Sequence, residues 1–573
     1  MKQKSQLETL RDLYFVQEKS KQSITDYWKN EFINNPYFEN VFITVDLILS
    51  TGRVLRLAVD RFSVSKGTET IGYLPFLVNE PEISSSYTFL SGDGSQRSIS
   101  IEIDGRIIKP MSALQSGSFL AGIGEISLQK ADGIYNNRLV LMKGEMTGGI
   151  SFGTDTERVS VTLSDPILSK DFKIPKSNHY ILKGDDFPDL PEDQMGEKFP
   201  LIIGRYEGGV PCIRITANRY GPQFLVGYGW QIQVTGVVLD GRDIPSDDIE
   251  RGWEIKTATT PSGIPYTYID FVYPNSMTTP EWTQPNIDNA EVYEFQWVDN
   301  AHVYAIVGER SVFAVSDNET MMEQIKFFIT NYSGFGIDGF DIPSYNRAII
   351  KDPGLKIQTL INGSTSIDST TVLEYIQSTI SDSFPMVSLI YTGIGIGVIY
   401  TDRRNTTVYQ SFIKGQKGII DRASQFAETS TEEVFNSFVL KYAYDTANDV
   451  YTKMITADYT NNKLCEISAA RLGHREYGLL ESVTIFDDRT AIYIVNWLAA
   501  HISLPRYIVQ YTVAPDLFLY LSVGDNIKIT DEEMGLEGIT STITEIIYNK
   551  KEMIITVDMW IIQDKLEKLS VIT

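Results

Sequence analysis

The run Tyr507 to Thr530, YIVQYTVAPDLFLYLSVGDNIKIT, sets the reading of the whole chain. Val509, Tyr511 and Val513 alternate with Gln510 and Thr512, the period of two that marks a half-buried strand. A second β-rich run follows Ala514-Pro515-Asp516 and is broken by Val523-Gly524-Asp525-Asn526 before a strand over 527–530. Gly524 accepts a positive φ and Asp525 bonds its own backbone, which is the chemistry of a tight turn. Nothing in the run is catalytic. It reads as a rigid β module that holds other pieces in register.

The same period governs the first part of the chain. VFITVDLILS and RVLRLAVDRFSVS flank Thr51-Gly52 and predict a hairpin. SISIEI and RIIKP flank Asp104-Gly105, a pair suited to a type I′ turn, and RLVLMKGEM and RVSVTLSDP follow across Gly148-Gly149 and Gly153. Many short strands with Gly turns predict an antiparallel β-barrel or sandwich over 37–166. Ahead of it, segment 1–36 is a helical arm: Leu7, Leu10 and Tyr14 recur at helical spacing and Pro36 closes the run. The arm either docks on a neighbouring subunit or covers its own barrel.

Segment 167–250 is a connector with a small β domain. Its acidic stretch GDDFPDLPEDQMGEKFP places Asp185, Asp186, Asp189, Glu192 and Asp193 close together, without the spacing of a calcium loop. It reads as a solvated connector. PLIIGRYEGGVPCIRI and GWQIQVTGVVLDGRDI then predict strands, with Asp240-Gly241 as a turn. Segment 251–345 is a β-rich, aromatic insert, with exposed aromatics expected in the TTPEWTQPNIDNAEVYEFQW loop and around 327–340.

Segment 346–429 is a small α/β domain. Ser369 or Thr370 caps a helix over TTVLEYIQSTISDSF, and a buried strand MVSLIYTGIGIGVIY follows. Segment 430–573 is a C-terminal β-barrel domain with one helix, RTAIYIVNWLAAHISL, whose apolar stripe is Ala491, Val495, Leu498 and Ile502. The closing strands TSTITEIIYN and KEMIITVDMWII turn at 549–551. The fold class expected is mainly β with α+β insertions, two antiparallel barrels bracketing inserted domains.

At 573 residues the chain is too long for one core, and about three to five domains are expected. Hydrophobic residues at 42% and charged residues at 22% belong to ordinary globular protein. The net charge of −24, with no basic run to offset it, repels phosphate backbones and argues against sequence-specific nucleic-acid binding. Such a surface does suit a conduit through which DNA slides without sticking. Cys212 and Cys465 are far apart and fit a reducing cytoplasm, and neither a signal peptide nor a membrane-spanning segment is expected.

The residues that carry chemistry do not assemble into a motif. His179, His302, His474 and His501 lack metal-ligand spacing, so no metal site is expected. Ser118 in SGSFLAG lacks the flanks of a nucleophile elbow. Glu281 beside Trp282, with Glu291 and Glu294, holds the residue types of a glycosidase groove, which requires two positioned carboxylates. The run Gly393-Ile394-Gly395-Ile396-Gly397 continues as strand instead of opening a helix, so it reads as close backbone packing and no cofactor is expected. Arg403-Arg404 and Lys550-Lys551 are isolated doublets, not a basic groove. No catalytic, cofactor-binding or metal-binding residue is assigned, and no enzyme is expected.

The order of features resembles phage tail baseplate hub proteins. The resemblance is carried by SAARLGHREYGLLESVTIFDDRTAIYIVNWLAAHISLP, then YIVQYTV and LYLSVGDNIKIT, then ITEIIYN and IITVDMW. It is also carried by PLIIGRYEGGVPCIRI with GWQIQVTGVVLDGRDI. His474-Arg475-Glu476 interrupts the family's short Arg-Tyr-Gly unit, and 251–345 has no counterpart, so the likeness covers roughly half the chain. It implies two tube-like barrels per subunit and a homotrimeric ring in the virion, assembled in the host cytoplasm. That ring would join the tail tube protein to a central spike or tip protein, contact other baseplate proteins and let DNA pass on infection. The alternative is a host-surface carbohydrate-binding or glycan-degrading tail protein, with its groove in the Trp253–Trp297 region.

Overall fold

A computed structural model of the chain describes residues 24–35, 38–49, 52–87, 98–105, 122–146, 151–152, 157–165, 171–174, 181–216, 222–229, 232–246, 252–271, 302–307, 319–361, 371–392, 395–404, 408, 410–415, 418–550 and 552–559. Three bodies emerge, two of them barrels.

The N-terminal body is a nine-stranded sheet. Val41–Ile48 lies at its centre because Ile43, Val45 and Leu47 are wholly buried, and it pairs with Val54–Ala58 and Ile123–Lys130. The predicted hairpin is present: Ile48 faces Val54 and Gly52 takes a φ of +81°. Residues 76–78 run on from the strand Glu69–Pro75 and bond the strand Ser98–Asp104, Val78 N–H donating to Glu102 and Asp104 N–H to Phe76, so the sheet wraps round on itself. Gly105 is described but RIIKP lies outside the described residues, as do Gly148, Gly149 and Gly153.

Of the helical arm, residues 24–35 are described, 24–34 of them helical, and they cover their own barrel. Trp28 and Phe32 sit in the barrel core, and the Trp28 indole N–H donates to the Asn137 carbonyl at 2.8 Å. Leu7, Leu10 and Tyr14 lie outside the described residues.

The C-terminal body is a closed six-stranded barrel. Gly418–Arg422, Gln410–Lys414, Asn526–Asp531, Leu536–Tyr548, Met553–Met559 and Tyr507–Val513 pair in that order, and the last pairs back with the first. Tyr507–Val513 buries Val509, Tyr511 and Val513, as its alternation requires. The second β-rich run is different. Pro515–Leu519 is a 3-10 turn, because Pro515 fixes φ at the start of a turn and cannot donate to a ladder. The barrel also draws strands from before residue 430, with two parallel pairings around Gln410–Lys414.

The middle body has its own core, which takes in residues from Ile174 to Tyr400 and again from Phe438 to Ile502. Two four-stranded sheets, the helices Met321–Tyr332 and Ile342–Ile349, and the three-stranded sheet of Val450–Ala457, Ser437–Asp445 and Glu476–Glu481 surround it. Segment 430–573 therefore contributes to two bodies, and among its described residues it carries two α-helices, Lys463–Leu472 and Asp488–Ile502, where one was expected. Asp240-Gly241 makes the expected turn, with φ of +45° and +77°.

Three local expectations change. The aromatics around 327–340 are interior: Phe328, Phe335 and Phe340 are buried, the first on the Met321–Tyr332 helix. The helix after 370 is capped by Thr371 in a capping box with Glu374, and its second half widens to a π-helix over Ile376–Ser381. MVSLIYTGIGIGVIY is two strands, Val387–Tyr391 and Ile396–Tyr400, paired antiparallel. Gly395 packs against the Gly339 backbone where a Cβ has no room, which is the close approach its glycines predict.

Candidate functional site at the barrel joint

The two barrels share one hydrophobic core. Leu47, Leu57 and Ile101 from the N-terminal sheet belong to the same buried cluster as Val509, Tyr511 and Ile555 from the C-terminal barrel. Ile83–Ser86 leaves the N-terminal sheet and pairs antiparallel with Leu536–Tyr548, setting Ile83 opposite Tyr548 and Ser86 opposite Glu545. Backbone hydrogen bonds thus cross from one barrel to the other. The Lys550 ammonium adds a polar staple, donating to the Val41 carbonyl at 2.9 Å and to Glu80 at 3.0 Å.

The Gly524-Asp525 turn fastens this pair of barrels to the middle body. Gly524 holds a φ of +86° with its α-carbon facing Ile399, and its carbonyl accepts from Lys351 at 2.8 Å. Burial lowers the Lys351 pKa from its ordinary range, with Asp525 opposing. The buried Asp525 carboxyl accepts the Ser522 N–H at 2.8 Å; burial raises its pKa, while Arg347 and Lys351 pull it down. Arg347 donates to the Ser522 hydroxyl at 2.7 Å. A cavity of about 570 Å³ lies where the three bodies meet, bounded by Ile83, Leu139, Arg347, Ile390 and Val523.

A second fastening was invisible as a doublet. Arg403 is buried and pairs with the buried Asp558 at 2.6 Å, and Arg506 meets the same carboxylate at 2.8 Å. Arg404 grips Asp402 with two nitrogens at 3.0 Å and lies over the Tyr493 ring. His501 completes the group: it is fully buried, stacked on Trp497, bonded through Nδ1 to the Trp497 carbonyl at 2.7 Å, and accepts the Arg403 N–H at Nε2. Burial first, then the Arg403 charge, hold its pKa well below the ordinary histidine value. It is a packing residue that holds the backbone of Arg403, whose guanidinium reaches Asp558 on the barrel.

The remaining candidates do not converge. His302 is exposed, its backbone N–H donating to Asp240, and His474 faces Glu476 at 3.1 Å; His179 lies outside the described residues. Cys212 and Cys465 are unbridged thiols, Cys465 pushed up to about 12 by burial. In the acidic stretch Asp186 is buried and accepts the Ser262 N–H, while Asp185, Asp189, Glu192 and Asp193 are exposed. No group of three metal-ligating side chains occurs among the described residues. Trp253 is half-buried and bonds the Ile244 carbonyl; Ser118, Glu281, Trp282, Glu291, Glu294 and Trp297 lie outside the described residues. No helix among the described residues is long and apolar enough to cross a membrane.

No family model matches the chain, and no curated protein matches it. Among solved structures it is similar to a tail protein from Neisseria meningitidis MC58, at 8% identity and a TM-score of 0.36 over 90% of this chain and 96% of that one. The 43 kDa tail protein of prophage MuSo2 from Shewanella oneidensis gives 11% identity and a TM-score of 0.35, over 90% and 98% of the two chains. A chain of a native gene transfer agent virion gives 11% identity and a TM-score of 0.41, over 65% of this chain and 85% of that one. Likenesses this distant carry no argument about function, which rests on the chain's own geometry.

Proposed function

We propose that the chain is a structural component of a phage tail baseplate. In this reading it is a hub whose homotrimer forms a ring between the tail tube and a central spike or tip, and DNA passes through that ring on infection. The observation that supports it is the rigid union of two barrels in one subunit through Ile83–Ser86 and a common core. Three such subunits present six barrels, the number a sixfold tube end requires, while a single-barrel subunit would have to assemble as a hexamer to do so. The net charge of −24 keeps a DNA path non-adhesive.

The chain performs no catalysis in this role. Its partners are its own copies, the tail tube protein, the spike or tip protein and neighbouring baseplate proteins, all within the virion. Native mass spectrometry of the full chain, with reconstruction of purified particles, tests the reading. A trimeric ring at the tube end is expected; a protein that stays monomeric at high concentration and is absent from virions refutes it.

A further inference from the structure

We propose that the three-stranded sheet of the middle body closes the ring: the free edge of Glu476–Glu481 in one copy pairs antiparallel with the free edge of Val450–Ala457 in the next. The number of copies rests on the hub reading. The contact itself rests on four features of this sheet.

The strand order is Val450–Ala457, Ser437–Asp445, Glu476–Glu481, so both outer strands have one edge with no strand beside it among the described residues. Open edges of this kind are normally blocked or paired, because their N–H and C=O groups template association. The strand directions match. Ser437–Asp445 runs antiparallel to Val450–Ala457 and parallel to Glu476–Glu481. A copy rotated about an axis along the strands therefore presents Val450–Ala457 antiparallel to Glu476–Glu481, and repetition of that step closes a ring.

The outer face of the sheet is apolar at both edges. Its inner face packs Phe438, Leu440 and Tyr442 into the core, whereas Met454 is 64% exposed, Leu479 52% and Val450 49%. In register, Met454 and Glu481 flank Lys441, while Thr456 and Leu479 flank Val439, so each edge carries exposed apolar side chains beside polar ones, Val450 and Met454 on one and Leu479 on the other. Charge selects the unlike pairing. Glu476–Glu481 carries two exposed carboxylates, and Val450–Ala457 carries Lys453 as its only charge. Two Glu476–Glu481 edges placed together would bring four carboxylates to one seam, whereas the unlike pairing brings two and sets the edge of Lys453 against them.

The test uses the full chain with Met454→Lys and Leu479→Glu, made separately and then mixed, followed by sedimentation and native mass spectrometry. Both side chains are exposed, and thermal unfolding verifies that each variant folds. The wild type is expected as a ring and each variant as a monomer, its association weakened at least about tenfold. Mixed, each variant retains one intact edge complementary to the other's, so a dimer containing one of each is expected. A symmetric contact of like edges would not produce that rescue. Hydrogen exchange on the wild type provides a measurement without substitution: amides of 450–457 and 476–481 should slow in the ring relative to diluted monomer. A wild-type ring that survives both substitutions, or shows no protection in these strands, overturns the edge contact and leaves the hub reading standing. A wild type that never associates overturns both.

Discussion

Gly524 occupies a position that two independent constraints reserve for glycine. Its φ of +86° lies in the left-handed region, and a Cβ there would meet the side chain of Ile399. A β-branched residue violates both constraints, since strain at positive φ costs about 1–3 kcal/mol and overpacking about the same again. Gly524→Val is therefore expected to destabilise by roughly 3 kcal/mol or more. Asp525 differs, although it is buried and adjacent. Its pKa is raised because burial disfavours the charge, and asparagine retains an oxygen to accept the Ser522 N–H. Asp525→Asn should stay within about 1 kcal/mol of wild type, because removing a poorly solvated charge offsets the lost attraction to Arg347 and Lys351. Denaturant midpoints at equal slope measure both. A Gly524→Val protein with an unshifted midpoint would show that the turn tolerates a side chain.

At the scale of elements, the Arg403 loop, packed on the Asp488–Ile502 helix, joins the middle body to the C-terminal barrel through charge. Trp497 and His501 on this helix face the loop of Arg403, whose guanidinium is held by Asp558 on the last barrel strand. Removing one member of a buried pair strands the other, at about 3–5 kcal/mol, whereas replacing both with apolar residues can be close to neutral. Asp558→Ala is expected to lower stability by that amount, and Arg403→Met with Asp558→Leu to recover most of it, as a double-mutant cycle reads directly. Equal losses in the single and double variants would show that the cost lies with Arg506, which also loses Asp558 and keeps only Glu433 at 3.1 Å, and not with a stranded Arg403. The helix itself was legible in the sequence: its stripe Ala491, Val495, Leu498 and Ile502 is buried, and Asp487 caps it by accepting the Thr490 N–H. The pairing was not legible, because Arg403 and Asp558 meet only through the topology and a doublet of arginines normally marks a solvated surface. Hairpins with Gly turns were legible for the same local reason as the helix. Pro515–Leu519 and the antiparallel pair Val387–Tyr391 and Ile396–Tyr400 were misread because continuous apolar runs carry no period to distinguish turn, strand or hairpin.

For the whole molecule, the decisive feature is the core shared by the barrels, for under the proposed hub role a subunit presenting two barrels to one ring must keep their spacing fixed under load. Two domains joined by a linker would unfold independently and swing relative to each other. Here Ile83 is 3% exposed within the common core and stands opposite Tyr548 on the other barrel, so opening either barrel exposes apolar surface of both. Amides of the central strands Val41–Ile48 and Met553–Met559 are thus expected to exchange through one opening of equal free energy. Ile83→Asp buries an unpaired carboxylate in the joint, which costs several kcal/mol, about the scale of a lost core contact and a desolvated charge together. In that variant the two strands should exchange with separate free energies, the closed six-stranded barrel retaining the higher one because it keeps its own ladder. Wild-type opening energies that differ by more than about 2 kcal/mol, well beyond the few tenths expected of residues in one cooperative unit, would show two independent barrels. The hub reading would then lose its mechanical basis, because among the described residues nothing else fixes one barrel against the other as extensively as this joint.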